Sequence, residues 1–193
     1  MLPGNQRQTW ASISRSALRH NFCSVKRQVG DAIEVMAIVK ADAYGHGAVE
    51  CAREFEAAGA TWFGVALVEE GIALRQAGII HPILCLTGVS AEQAQAVLAH
   101  DLSAVVSNLE SVEALAAAAS ASGGVATIHV KVDTGLGRLG VLPAHLADFG
   151  NALARRTVLA PWPQPTSATL PPRVSFSTTP LSAGSQEVRR LAL

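Results

Sequence analysis

The apolar positions along this chain switch between two spacings in a regular way. From Ser14 to Val29 they fall at helical intervals, Ala17, Leu18, Phe22, Val25 and Val29, with Ser14 placed as an N-cap and Gly30 as a stop. Arg15, Arg19, Lys26 and Arg27 then read as the solvated face of this leading helix. The next stretch, Val35 to Lys40, is an apolar run of strand length. Alternation puts Met36, Ile38 and Lys40 on one face and Val35, Ala37 and Val39 on the other. Beyond it the pattern predicts repeated units of strand and Ala-rich helix. Gly47 to Ala58 reads as a helix ended by Gly59, Trp62 to Leu67 as a strand, and Val68 to Ala77 as a helix stopped by Gly78. Pro82 to Thr87 and Ser103 to Ser107 read as strands, each followed by a helix, Ala91 to His100 behind Ser90 and Leu109 to Ala119 behind Asn108. Thr127 to Asp133 is the last predicted strand, and a helix from Pro143 to Arg155 follows it.

Strands alternating with helices at this spacing imply parallel pairing through right-handed crossovers. An open doubly wound sheet and a barrel both satisfy that rule, and no Gly-x-Gly-x-x-Gly follows the first strand to favour a dinucleotide fold. The pattern stops at Arg156. The remainder holds six prolines, Pro161, Pro163, Pro165, Pro171, Pro172 and Pro180, and a single acidic residue, Glu187. Two regions are therefore expected: 1–156 as the α/β part, and 157–193 as an irregular or disordered tail. The outer strands, Val35 to Lys40 and Thr127 to Asp133, are expected to lack neighbours, and the stretch Pro161 to Pro180 is not expected to bridge them, because proline lacks the ladder donor.

Composition narrows the function classes. With 15 basic and 15 acidic residues the chain has no net charge, so neither nucleic acid nor an acidic membrane surface is an expected partner. Cys23, Cys51 and Cys85 lie far apart without metal-ligand spacing and read as buried thiols of a reducing compartment. The N-terminus lacks the apolar core of a signal peptide, and no later run has about 18 uninterrupted apolar residues. A cytoplasmic protein acting on a small molecule, without a metal, is the expectation.

Two segments carry candidate chemistry. In VMAIVKADAYGHG, a strand delivers Lys40 to the mouth of a βα unit, where an apolar wall favours the neutral, carbonyl-attacking amine. By position alone the plainer reading is a surface lysine at the rim of an α/β fold. His46, between two glycines, reads as a turn histidine. In HVKVDTGLGRLG, His129, Lys131 and Asp133 share one face, and Arg138 lies in the loop beyond. An inward lysine at position 131 needs compensation, either from Asp133 or by conversion to an anion that pairs with Arg138.

Both segments, in this order, resemble the alanine racemases, a family that carries pyridoxal 5'-phosphate on a lysine of a TIM-type barrel. The similarity runs from about Gln8 to Arg156 and selects the barrel over the open sheet. It implies a partial (β/α) barrel of about five βα units. It implies Lys40 as catalytic and cofactor-bearing residue, Tyr44 as a phosphate ligand, Arg138 for the substrate carboxylate and the cofactor's phenolic oxygen, and Lys131 as a carbamylated lysine. Leu136 stands where the family has methionine. The implied reaction interconverts L-alanine and D-alanine, supplying cell-wall synthesis, in a homodimer. Racemisation also needs an acid/base on the opposite face, which the family takes from a tyrosine of a C-terminal domain. Here Tyr44 is the only tyrosine, and nothing resembles the family's THFA strand. The chain thus reads as a truncated racemase, inactive alone. A non-catalytic remnant and a small cofactor-carrier barrel are the alternatives.

Overall fold

The computed structural model describes residues 10–155, together with the backbone of 159–160 and 191–192. Helix α1, Arg15–Val29, starts where Ser14 Oγ accepts the Ala17 N–H and ends at Gly30, whose φ of 80° a β-carbon would disfavour. It packs on α3, Ala48–Ala57, with the Phe22 and Phe55 rings 5.8 Å apart. Arg15 and Arg19 are exposed, as a solvated face requires, and are also engaged. They pair with Glu50 and Glu54 of α3. Glu54 is 8% exposed, and a carboxylate buried that far requires a cationic partner, which α1 supplies. Lys26 is also occupied, its Nζ donating to the Ile33 carbonyl at 2.7 Å.

The strands are β1 Val35–Ile38, β2 Trp62–Val65, β3 Ile83–Cys85, β4 Ser103–Val106 and β5 Ala126–Val130. Between them run α2 (Lys40–Gly45), α3, α4 (Val68–Gln76), α5 (Ala94–Ala99) and α6 (Leu109–Ser122), and α7 (Leu146–Ala154) follows β5. Every pairing is parallel, and from β1 to β5 the order in the sheet is the order in the chain. A doubly wound sheet reverses its order at a switch point. This one does not. The helices all pack against one face, through Val39, Phe63, Val65, Ile83, Leu74 and Leu115, each wholly inaccessible. Burial of each such side chain contributes about 1.5–3 kcal/mol. Consecutive order with helices on one face is the wall of a barrel, here five βα units of it.

The opposite, concave face carries a separate cluster of Trp62, Leu84 and Val105 with Met36, Leu86 and Leu139 around them. Gly64 belongs to this face: a β-carbon there would stand 2.5 Å from Ile38 Cδ1 and 3.2 Å from Met36 Sδ. The glycine lets those two β1 side chains lie across β2. Its neighbours in the register are Ile38 on β1 and Leu84 on β3. The strands are shorter than the apolar runs that predicted them, because the residues after each strand already serve the loops. Thr87, for example, donates its hydroxyl to the Ala66 carbonyl at 2.7 Å.

Two short strands extend the sheet. β6, Leu159–Ala160, pairs with Ala126 and Thr127 of β5, and β7, Leu191–Ala192, pairs with Val35 and Met36 of β1. The outer strands, expected to lack neighbours, thus have one over two residues each, while the stretch Pro161 to Pro180, not expected to bridge them, lies outside the described residues. The pairing dipeptides contain no proline, so their N–H donors are intact. The rest of 157–193 lies outside the described residues. Cys51 and Cys85 are buried free thiols whereas Cys23 is half-buried, and burial pushes the Cys85 thiol up to about 12. Among the described residues no helix is long and apolar enough to cross a membrane.

Candidate active site

Lys40 does not extend β1. It opens α2, in which Ala41, Asp42, Ala43 and Tyr44 all have φ between 52° and 56°, one turn of left-handed helix without a glycine. For L-residues this conformation costs roughly 1–2 kcal/mol each, so the surroundings must impose it. They do so through several hydrogen bonds. The Ala43 N–H donates to the Val39 carbonyl and the Gly47 N–H to the Asp42 carbonyl, both at 2.9 Å. Asp42 Oδ1 accepts the Ala48 N–H at 2.7 Å, placing a carboxylate at the N-terminus of α3, where the helix dipole favours it. His46 bonds the Ala43 carbonyl through Nδ1 at 2.8 Å, the turn role expected of it. Glu70, from the first turn of α4, accepts the Ala41 N–H at 2.6 Å.

The turn brings Tyr44 beside Lys40, with the lysine Nζ 6.0 Å from the ring centroid. Lys40 is partly exposed, and Tyr44 is 63% exposed. Both stand at the C-terminal end of the parallel sheet, the end on which barrel active sites are built.

The second segment lies at the same end, beyond β5. Inward alternation holds: Val105 is in register with His129, whose ring meets Trp62 edge-on at 5.9 Å across the concave face. Lys131 follows the strand and is exposed, so no buried charge needs compensation there. Asp133 is engaged elsewhere. Its Oδ1 accepts the Gly135 and Gly137 N–H groups, each at 3.0 Å, and these bonds hold its carboxyl below the usual aspartate range. They fold the loop that carries Arg138, which is itself exposed. The loop closes where Val132 bridges Val141, with Gly140 at the crossing: a β-carbon on Gly140 would stand 2.4 Å from the Asp133 nitrogen.

β2, β3 and β4 intervene between β1 and β5. At a strand spacing of about 4.8 Å, the two segments are separated by roughly 19 Å along the sheet. The structure thus joins Lys40 with Tyr44 and sets Lys131 and Arg138 on the far wall of the same opening. Between them lies a cavity of about 240 Å³ lined by Thr87, Gly88, Ser90, Ser107, Asn108 and Leu139 among others. Sequence reasoning missed Glu70 and the handedness of the turn. A glutamate three residues into a helix that lacks a Ser or Thr cap was the available signal for the first. Ala-Asp-Ala-Tyr gives almost none for the second.

Residues 13–161 match the family model described as "Alanine racemase, N-terminal domain". An alanine racemase of Symbiobacterium thermophilum is 46% identical over 149 residues, which is 77% of this chain and 39% of that protein. One from Geobacter sulfurreducens is 42% identical over the same shares of each. The solved alanine racemase of Clostridium difficile 630 superposes with a TM-score of 0.76 at 32% identity, covering 81% of this chain and 42% of its own. A histidine racemase from Leuconostoc mesenteroides superposes with a TM-score of 0.71, also at 32% identity, over 77% of this chain and 40% of its own. The chain spans about two fifths of the length of each of these proteins.

Proposed function

The chain belongs to the alanine racemase family, and on that premise we propose that it forms the cofactor-lysine half of an active site interconverting L-alanine and D-alanine. The observation that carries this reading is Lys40, held at the mouth of β1 by a strained turn with Tyr44 6.0 Å from its amine. The residues present suit pyridoxal 5'-phosphate: a primary amine for its aldehyde, the Tyr44 phenol for its phosphate, and the Arg138 guanidinium for its phenolic oxygen. When bound, that group supplies an electron sink that acidifies the Cα proton of an attached amino acid. With the cofactor in place, the Lys40 amine would act as base on one face of Cα and hold the proton it takes. Arg138 binds the substrate carboxylate as a planar two-pronged donor. Lys131 is exposed and free to add carbon dioxide at its neutral amine. That addition releases one proton and gives a carbamate anion to pair with Arg138.

Inversion of Cα requires a second acid/base on the opposite face. The single tyrosine of this chain is Tyr44, which serves the cofactor. The chain by itself is therefore proposed to bind the cofactor without racemising alanine, because a second copy would bring the same single tyrosine. The region 1–156 is proposed as the cofactor-binding unit and the cytoplasm as its compartment. Alanine is the assigned substrate because both sequence relatives and the Clostridium structure are alanine racemases. The Leuconostoc neighbour makes histidine the comparison substrate.

The test is covalent mapping. Incubation with pyridoxal 5'-phosphate condenses lysine amine with aldehyde and releases water, and borohydride supplies the hydride that fixes the C–N bond. Lys40 should be labelled ahead of Lys26 and Lys131, while D-alanine formation stays at the level of the free cofactor. Equal labelling of the three lysines, or turnover abolished by Lys40→Ala, would overturn the proposal.

A further inference from the structure

We propose that Glu70 is a positioning residue for Lys40, a carboxylate that bolts the left-handed turn to the end of the adjacent strand. This rests on the reading of Lys40 as the cofactor lysine. The two oxygens of Glu70 are divided between two segments. Oε1 accepts the N–H of Ala41, the residue directly after Lys40, at 2.6 Å. Oε2 accepts the N–H groups of Ala66 at 2.7 Å and Leu67 at 3.1 Å, where β2 ends and α4 begins. A glutamate near a helix start ordinarily reaches back to its own N-cap. Here half of its capacity crosses to another segment 29 residues earlier in the chain.

The division matters because of what each end does. β1 and β2 pair through Ile38 and Gly64, and the Val39 N–H donates to the Gly64 carbonyl at 2.9 Å, so the ladder between them continues to the residue before Lys40. At Lys40 the ladder stops and the backbone enters the left-handed region. The first N–H of that turn would face water or remain unpaired, and Glu70 takes it. One side chain thereby ties the disfavoured backbone to the capped start of α4 beside it. Charge-assisted bonds of this kind are about twice as strong as neutral ones. With the Ala41 N–H fixed, the direction in which the Lys40 side chain leaves the backbone is fixed as well. Glu69, the preceding residue, carries the same charge but turns away to accept from Gln93 Nε2 at 3.1 Å.

The neutral isostere separates the two functions. In Glu70→Gln one amide oxygen remains; the two converging donors of Ala66 and Leu67 at its own helix start keep it, so the NH2 opposes the Ala41 N–H and that side of the clamp is lost. Glu70→Asp keeps the charge and still reaches the start of its own helix, but falls one methylene short of Ala41. Glu69→Gln removes the same charge without touching the turn. The experiment uses the full chain and has two readouts. The first needs no cofactor: amide hydrogen exchange at Ala41 by NMR, expected to be slow in the wild type and in Glu69→Gln and fast in both Glu70 variants. The second is the rate of borohydride-fixed labelling of Lys40 by pyridoxal 5'-phosphate, with Lys26 as internal reference. It is expected to fall about tenfold in Glu70→Gln and Glu70→Asp, as for loss of one charge-assisted bond, and to be unchanged in Glu69→Gln.

Should Glu70→Gln fail to fold, Glu70→Asp carries the comparison. Wild-type protection of Ala41 in both Glu70 variants, or an equal loss of labelling in Glu69→Gln, would overturn the proposal. A wild type that does not favour Lys40 for labelling sinks the reading of the lysine instead, while the exchange measurement still judges the clamp.

Discussion

Asp133 shows how a residue acquires a role that its neighbours in sequence do not announce. Its position two residues after Lys131 on the same strand face reads as an ion pair. In the structure its carboxylate is spent on the backbone of Gly135 and Gly137, and the nearby Lys131 charge is the least of the influences on it. Two N–H donors converging on one oxygen satisfy an ionised carboxylate better than one mobile, exposed ammonium. The consequence is pH-dependent. Because these bonds hold the folded-state pKa below the ordinary aspartate value of about 3.9, the ordering of the Arg138 loop is fully present at neutral pH. It is lost as pH falls through the lowered value. The Gly135 and Gly137 amide resonances should titrate together with a midpoint below that of a free aspartate. Asp133→Ala should abolish the titration and broaden the Arg138 amide at neutral pH. A midpoint at the unperturbed value would count against the assignment.

Among the elements, α2 departs furthest from what its residues prefer. Each of Ala41, Asp42, Ala43 and Tyr44 carries a β-carbon in the left-handed region. Only Asp42 has a side chain that commonly tolerates it, and it is the one that caps α3. The strain predicts an unusual sign for a glycine substitution. Ala41 is exposed, so Ala41→Gly removes little packing. It relieves about 1–2 kcal/mol of left-handed strain against about 0.4–1 kcal/mol of added unfolded-state entropy. A net stabilisation of about 0.5–1 kcal/mol is expected from the difference, read as a higher urea midpoint at an unchanged slope. The same change at Ala43, whose methyl is buried, should not stabilise. A lowered midpoint in Ala41→Gly would mean that the turn is not strained in solution.

At the scale of the whole molecule the barrel wall has two outer strands, and among the described residues each is covered over two residues, at its N-terminal end. Ala126 and Thr127 of β5 meet β6, and Val35 and Met36 of β1 meet β7. Unpaired strand edges beside apolar side chains are templates for association. The two short strands are therefore expected to restrain it. A chain ended after Arg155 loses both. It should move from smaller to larger species in native mass spectrometry and unfold at lower urea concentration than the full chain. A truncated chain that remains a monodisperse monomer with an unchanged midpoint would show that these pairings do not protect the edges.

Local sequence determined the elements. The 3.6 and 2.0 periodicities placed α1, α3 through α7 and β1 through β5, and Ser14, Asn108 and Gly30 marked helix ends where the structure has them. These signals act within a turn or two of chain, which is why they can be read without the fold. The family motifs likewise singled out Lys40, Tyr44, Lys131 and Arg138. Periodicity could not choose between a barrel wall and a doubly wound sheet, because both satisfy the same parallel crossovers. The order of strands in space settled that. Nor could sequence give Arg15 and Arg19 their partners on α3, since the reason for them is the burial of Glu54, a property of the packed helices. The left-handed turn was hidden for the same reason. Its residues do not favour it, and the groups that impose it include a carboxylate from α4, brought beside Lys40 only when β2 pairs with β1.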